Sequence, residues 1–332
     1  MTVAYAVRRT ILGLTLVAPA LLPLGGTPAS AQPAWPSRPV RVIVSYAPGG
    51  GADIMARLVA EPLARALGQP VVVENRAGAG GAIGTEACAR AAPDGYTLCF
   101  GSIATHSIIP YMQSNLSWDP LRDFTPITNL AYYPTVLAVN PSVPARTMDE
   151  LIAWLKAHPG TAYGTSGVGS SNHLTGEVLS RTFGLGLVHV PYRGGNQAQA
   201  DAIAGQIPMV LDQITAMVPQ IQAGNLRPLL LVGGDQRSPL LPDVPTITER
   251  LMPDFRIQGY QGIFAPAGLP EPILRRLNAA IRTAVEGSDV SQKLIDMGSE
   301  VVLSTPEAFA TYLRDTAPMY REVVASSGAR VE

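Results

Sequence analysis

The sequence predicts an α/β protein of two hinged lobes, each a mostly parallel sheet flanked by helices. Three observations carry that expectation. Short β-branched runs alternate with helical stretches from Val40 onward, the pattern of sheets built from strand–helix–strand units. A strand, a small-residue loop and a helix occur in that order at Val40–Ile54 and again at Ala162–Phe183. Breaks near 138–143 and 258–265 read as two chain crossings, which put residues 32–138 with 262–332 in one discontinuous lobe and 139–261 in an inserted lobe. A length of 332 residues fits two domains, and 47% hydrophobic content is enough for two cores.

The N-terminus reads as an address rather than as fold. Arg8-Arg9 is a positive start, Thr10 to Leu24 an apolar run, and Ala29-Ser30-Ala31 a small-residue cleavage site. The run is too short for a membrane span, and Pro19 and Pro23 interrupt it. Residues 1–31 are therefore an expected signal peptide, cleaved after Ala31, and the mature protein is expected in the periplasm. Charge is balanced, 24 basic against 25 acidic residues, so no basic field invites nucleic acid or an acidic membrane.

Val40 to Val44 reads as a buried strand, because β-branched residues suit a pleated sheet. Gly49-Gly50-Gly51 then lets the backbone approach a ligand closely. Asp53 occupies an N-cap place ahead of Ile54, Leu58 and Leu63, and a helix start can hold an anion. As a plain βα turn the loop needs no ligand. Val71 to Glu74 is the next strand. The loop Gly78 to Gly84 has the spacing G-x-G-x-x-x-G, which fits close backbone packing better than a dinucleotide site. Cys88 and Cys99 flank the Asp94-Gly95 turn. Either a disulfide or two buried thiols fits them, and an oxidising compartment favours the bridge.

Tyr96 to Gly101 is a strand with Ser102, Thr105 and His106 at its carboxyl end, where open α/β sheets bind ligands. Asp119 to Pro126 reads as a polar connector and Val136 to Val139 as a strand. Thr147 caps a helix at Met148–Ala157. After the strand Ala162–Thr165, the loop Ser166-Gly167-Val168-Gly169-Ser170-Ser171 delivers helix N–H groups and three hydroxyls. Two such corners, one per lobe, favour a shared cleft over two ordinary turns. Val188–Val190, Pro208–Leu211 and Arg227–Val232 read as strands, with Asp212 at the end of the second. Pro191 to Asn196 turns into a helix ending near Gly205. Gly259–Ala265 is the return crossing, Pro272–Glu286 an amphipathic helix, and Thr305-Pro306 the cap and first residue of the last helix.

The residues supply no catalytic constellation. The histidines are His106, His158, His173 and His189, and none has a partner at metal spacing. His173 either borders the cleft or is a plain polar first-turn residue. There is no nucleophile elbow, paired-carboxylate motif or phosphate loop. The alternative to a binding protein is an exported hydrolase pairing Ser166 or Ser170 with His173. A nucleotide-dependent oxidoreductase using Gly78–Gly84 is a third reading.

Several segments together resemble one family. They are Tyr46 to Asp53, Val73 to Arg76 with Gly78 to Gly84, Pro93 to Leu98, Gly167 to Leu174, Val190 to Gly195, Leu241 to Thr246 and Thr305 to Glu307. In this order they resemble the Bug family, extracytoplasmic solute receptors of tripartite tricarboxylate transporters, over about residues 36–330. The resemblance implies a periplasmic-binding-protein fold with a two-crossing hinge. It implies a small organic carboxylate as ligand, held partly through water and handed to a membrane transporter or a sensor. A monomer is expected, with no enzymatic activity, and hydrogen bonds to a carboxylate require no cofactor and no metal. By position it assigns one carboxylate to Tyr46 and the amides of Gly50, Gly51, Ala52 and Asp53. Ser166, Gly169, Ser170 and His173 would face it, with Ser102, Thr105 and Asp212 along the remaining wall. Family members often carry threonine where this chain has Ala52, which leaves the ligand open.

Overall fold

A computed structural model describes residues 1–4 and 35–329. The expected signal segment and its cleavage after Ala31 lie outside the described residues.

The first half begins with β1 (Val40–Val44), α1 (Gly51–Leu67), β2 (Val71–Asn75), α2 (Ala82–Ala89) and β3 (Thr97–Ser102). β1 pairs in parallel with β2 on one side and β3 on the other. Its period-two pattern puts Val40, Val42 and Val44 into one core, with Met55, Val59, Leu63 and Leu67 of α1. Those helix residues recur every four positions, one stripe of an amphipathic helix. Ile43 faces the opposite core beside Cys88 and Cys99. These two cysteines form a disulfide, Cα–Cα 5.9 Å, that ties α2 to β3. The same core holds α3 (Ile109–Met112), which follows a wide helical turn at Ala104–Ile108.

The second half repeats this plan. After β4 (Phe124–Tyr133), β5 (Thr135–Val139) and α4 (Met148–Ala157) come β6 (Ala162–Thr165), α5 (Ser171–Phe183), β7 (Val188–Pro191), α6 (Gly195–Ile203) and β8 (Met209–Gln213). β6 pairs in parallel with β7 and with β8. The chain continues through α7 (Ile214–Gln222), β9 (Arg227–Val232), α8 (Ile247–Arg250), β10 (Gly259–Pro266), α9 (Glu271–Glu286), α10 (Val290–Asp296), β11 (Glu300–Val301) and α11 (Pro306–Ser327). The strand orders are β11-β4-β10-β3-β1-β2 and β7-β6-β8-β5-β9. In each sheet the first strand of a β-α-β-α-β unit lies between the other two. Its connections leave to opposite sides, and the crevice at that carboxyl end is where open α/β sheets take ligands.

The α/β class and the two sheets match the expectation, but the sheets are mixed. β10 runs antiparallel to β3 and β4, and β5 runs antiparallel to β8 and β9. A strand entering from the other half has no helical crossover to keep it parallel. The chain changes sheet at Pro134, so residues 135–138 belong to the second sheet, and the expected boundary at 261 falls within β10. Most of β4 lies where the sequence showed only a connector and then nothing. Pro126 inside it, and bulges in its pairing with β10, blur the strand signal. Helix α7 was also unread, with Pro219 inside it. Local caps follow the sequence. Thr147 Oγ1 accepts from Glu150 N at 3.3 Å, and Thr305 Oγ1 accepts from Ala308 N at 3.2 Å.

Candidate functional site

The carboxyl ends of β1, β3, β6 and β8 surround one small cavity, with a volume of ≈ 30 Å³. Strand register builds its walls. Val44 lies opposite Phe100, so two residues on Tyr46 meets Ser102, their hydroxyls 2.9 Å apart. Tyr163 and Gly164 lie opposite Met209 and Val210, and the same offset brings Ser166 beside Asp212. All four line the cavity.

Helix starts supply its polarity. Gly50, Gly51 and Ala52 open α1, Ser170, Ser171 and Asn172 open α5, and Gly194 and Gly195 open α6. α1 and α6 have no side-chain cap, so their first N–H groups are left for a guest. The partial positive charge of three helix starts favours an anion there. Among the described residues lining the cavity there is no Lys, Arg or His. Tyr46 stays a neutral phenol, because burial pushes its pKa up to about 12 despite the Ser102 hydrogen bond.

Asp212 is the one carboxylate in the wall. It is 4% exposed. Gln199 Nε2 donates to its Oδ2 at 2.7 Å, and Gln213 N and Asn172 Nδ2 donate to its Oδ1 at 2.8 and 3.4 Å. Burial raises its pKa, and these three donors oppose the shift. Gly195 lies so near that an added Cβ would sit 2.6 Å from Oδ1 and closer to Oδ2.

The two halves also touch around the cavity. Gly80 packs on the Val168 carbonyl, where a Cβ would come within 3.1 Å of the carbonyl carbon. A Cβ at Gly51 would meet Thr215 Oγ1 at 2.7 Å and the Gln213 amide, and one at Gly194 would meet Ala47 Cβ at 3.2 Å.

Of the residues expected from the sequence, Tyr46, Gly50, Gly51, Ala52, Ser102, Ser166, Ser170 and Asp212 line the cavity. Asp53, Thr105, Gly169 and His173 do not. Asp53 is not an N-cap. It lies in the first turn behind Gly50, where its carboxylate accepts from Gly49 N at 2.9 Å, Arg57 Nε at 3.0 Å and Asn75 Nδ2 at 2.8 Å. Those partners lower its pKa against its burial, so it props up the glycine loop from outside. Thr105 Oγ1 closes a turn, accepting from Ser102 N at 3.0 Å and contacting His106 Nδ1 at 2.9 Å. Gly169 donates its N–H to His173 Nδ1 at 3.3 Å.

His173 is buried behind the serine loop with its ring stacked on His189, centroids 4.0 Å apart. Burial lowers its pKa, against the pull of Glu177. Ser170 Oγ accepts from the His173 backbone N–H at 3.1 Å, which is helix capping. Among the described residues no imidazole is hydrogen-bonded to Ser166 or Ser170, so the serine–histidine pair a hydrolase needs is not assembled.

The sequence reading missed Ala47, Ala104, Tyr133, Asn172, Gly194, Gly195 and Gln213. Gly194-Gly195 had a signal available, a glycine pair ahead of a helix. Tyr133 had none, since it lies at the end of an unread strand.

The model of the tripartite tricarboxylate transporter family receptor matches residues 55–328. Protein BugT of Bordetella pertussis is 35% identical over 307 residues, covering 92% of this chain and 94% of BugT. A solved structure described as a periplasmic transporter is 40% identical at a TM-score of 0.86, covering 90% of this chain and all of its own. MatC from Rhodopseudomonas palustris, solved with bound malate, is 33% identical at a TM-score of 0.83, covering 87% of this chain and 100% of MatC. Among the described residues, no helix is long and apolar enough to cross a membrane.

Proposed function

Because the chain belongs to the tripartite tricarboxylate transporter receptor family, we propose that it is a periplasmic solute receptor that binds a small organic carboxylate in the cavity between its two halves. The observation that carries this is the convergence of three helix starts, from both sheets, on a cavity without a cationic side chain. Hydrogen bonds to a charged group contribute roughly 1.5–3 kcal/mol each. A few amides and hydroxyls therefore suffice for a carboxylate without a metal or cofactor.

In this reading the first 31 residues direct export and are removed. The two sheets are the cores of two lobes hinged at Pro134 and in the segment between β9 and β10. The lobes close on the ligand as a hinge, and the closed monomer presents it to a membrane transporter or a sensor. The malate bound by MatC supports a ligand of this class.

The test is a thermal-shift screen of the mature protein against mono-, di- and tricarboxylates. A ligand at a hundred times its Kd stabilises by about 2.7 kcal/mol, so a hit raises the melting temperature by several degrees. A flat response to every acid would overturn the proposal.

A further inference from the structure

The cavity is not uniformly a donor surface. On its first-sheet side it offers the uncapped amides of α1. On its second-sheet side, at the end of β8, it offers acceptors. Asp212 is held from behind by Asn172, Gln199 and its own strand end. A carboxylate has about four acceptor positions, and these three donors leave one for the cavity. The Gln213 amide oxygen, which lies against Gly51 at the start of α1, is buried and has no partner among the described residues. A plain dicarboxylate has acceptors only. Lodged here it would set oxygen against oxygen, with no cation in the lining to separate them.

The geometry points to a ligand that bears, besides the carboxylate facing α1, a hydrogen-bond donor facing Asp212: a hydroxy or amino acid in preference to the unsubstituted acid of the same length. This rests on the carboxylate reading and narrows it. Asp212 is then a specificity residue, touching the ligand's substituent. Gln199 is a positioning residue that holds the Asp212 carboxylate in place.

The experiment titrates the mature protein calorimetrically at neutral pH with two matched sets. One is succinate, L-malate and L-aspartate; the other is glutarate, L-2-hydroxyglutarate and L-glutamate. Within each set only the substituent changes, from hydrogen to hydroxyl to ammonium. In a set that binds, a donor-bearing acid is expected to bind at least about tenfold tighter than its plain parent, the size of one good hydrogen bond to a charged group. Asp212→Asn is expected to shrink that ratio to within about threefold, by weakening the substituted acid rather than the parent. The hydroxyl and ammonium arms show which donor is used. Parents that bind as tightly as their substituted forms would overturn the inference and leave the carboxylate reading intact. Binding by no acid of either set, nor by any in the broader screen, would overturn both. The wild-type ratios decide the matter even if the variant does not fold.

Discussion

Replacing Gly195 by alanine tests the architecture of the site without choosing a ligand. Gly195 opens α6 and its backbone is outside the left-handed region, so alanine is conformationally allowed there. By helix propensity alone the change would stabilise by up to about 1 kcal/mol. The new methyl group would lie 2.6 Å from Asp212 Oδ1, where about 3.4 Å is needed, and nearer still to Oδ2. Relief of both contacts moves Asp212 away from α6 by roughly 1.5 Å. Gln199 is on the same helix, one turn on, so its 2.7 Å bond to Oδ2 stretches beyond hydrogen-bonding range. Loss of that bond costs roughly 1.5–3 kcal/mol and the overpacking roughly 1–3 kcal/mol. The net destabilisation is about 1.5–6 kcal/mol, a fall in melting temperature of at least roughly 3 °C. Urea unfolding of Gly195→Ala, Asp212→Ala and the double variant would measure it. Because the clash is with one side chain, the double variant should be more stable than the sum of the singles by at least about 1.5 kcal/mol. A Gly195→Ala protein as stable as wild type, or two strictly additive substitutions, would refute the reasoning.

Two further outcomes concern stability. The disulfide closes a loop between Cys88 and Cys99, 11 positions apart. Chain entropy then predicts about 2.8 kcal/mol. Reduction, or the paired Cys→Ala variant, should lower the urea midpoint accordingly, and an unchanged midpoint on reduction would dismiss the effect. His106 is stacked on Phe264, with ring centroids 3.8 Å apart and Nε2 unpartnered among the described residues. Burial lowers its pKa from 6.5 to about 3. A depressed folded pKa gives stability that is present above the unfolded value and is lost as pH falls from about 6.5 towards 3. The loss from this group is at most roughly 5 kcal/mol. His106→Phe should therefore flatten the acid limb of the stability curve, and parallel curves for the two proteins would count against that assignment.

The sequence by itself determined what is local. Val40–Val44 shows as a strand because its β-branched alternation needs no knowledge of its partners. Thr147 and Thr305 show as caps because capping spans three residues. The glycine and serine loops before α1 and α5 could be read as helix starts for the same reason, and both reach the cavity. Only the tertiary structure decided where side chains go next. Asp53 and Ser170 lie in similar places beside helix starts, yet Asp53 turns outward to Arg57 and Asn75 while Ser170 faces the cavity. His173 of α5 stacks on His189 of β7, and so leaves the serines without a base. β4 owes its place to pairing with β10, far along the chain, which overrides Pro126 and its own weak pattern. The mixed sheets have the same origin. Strand direction is settled by which half a segment returns from, and that is a property of pairings between distant residues, invisible in any one window of sequence.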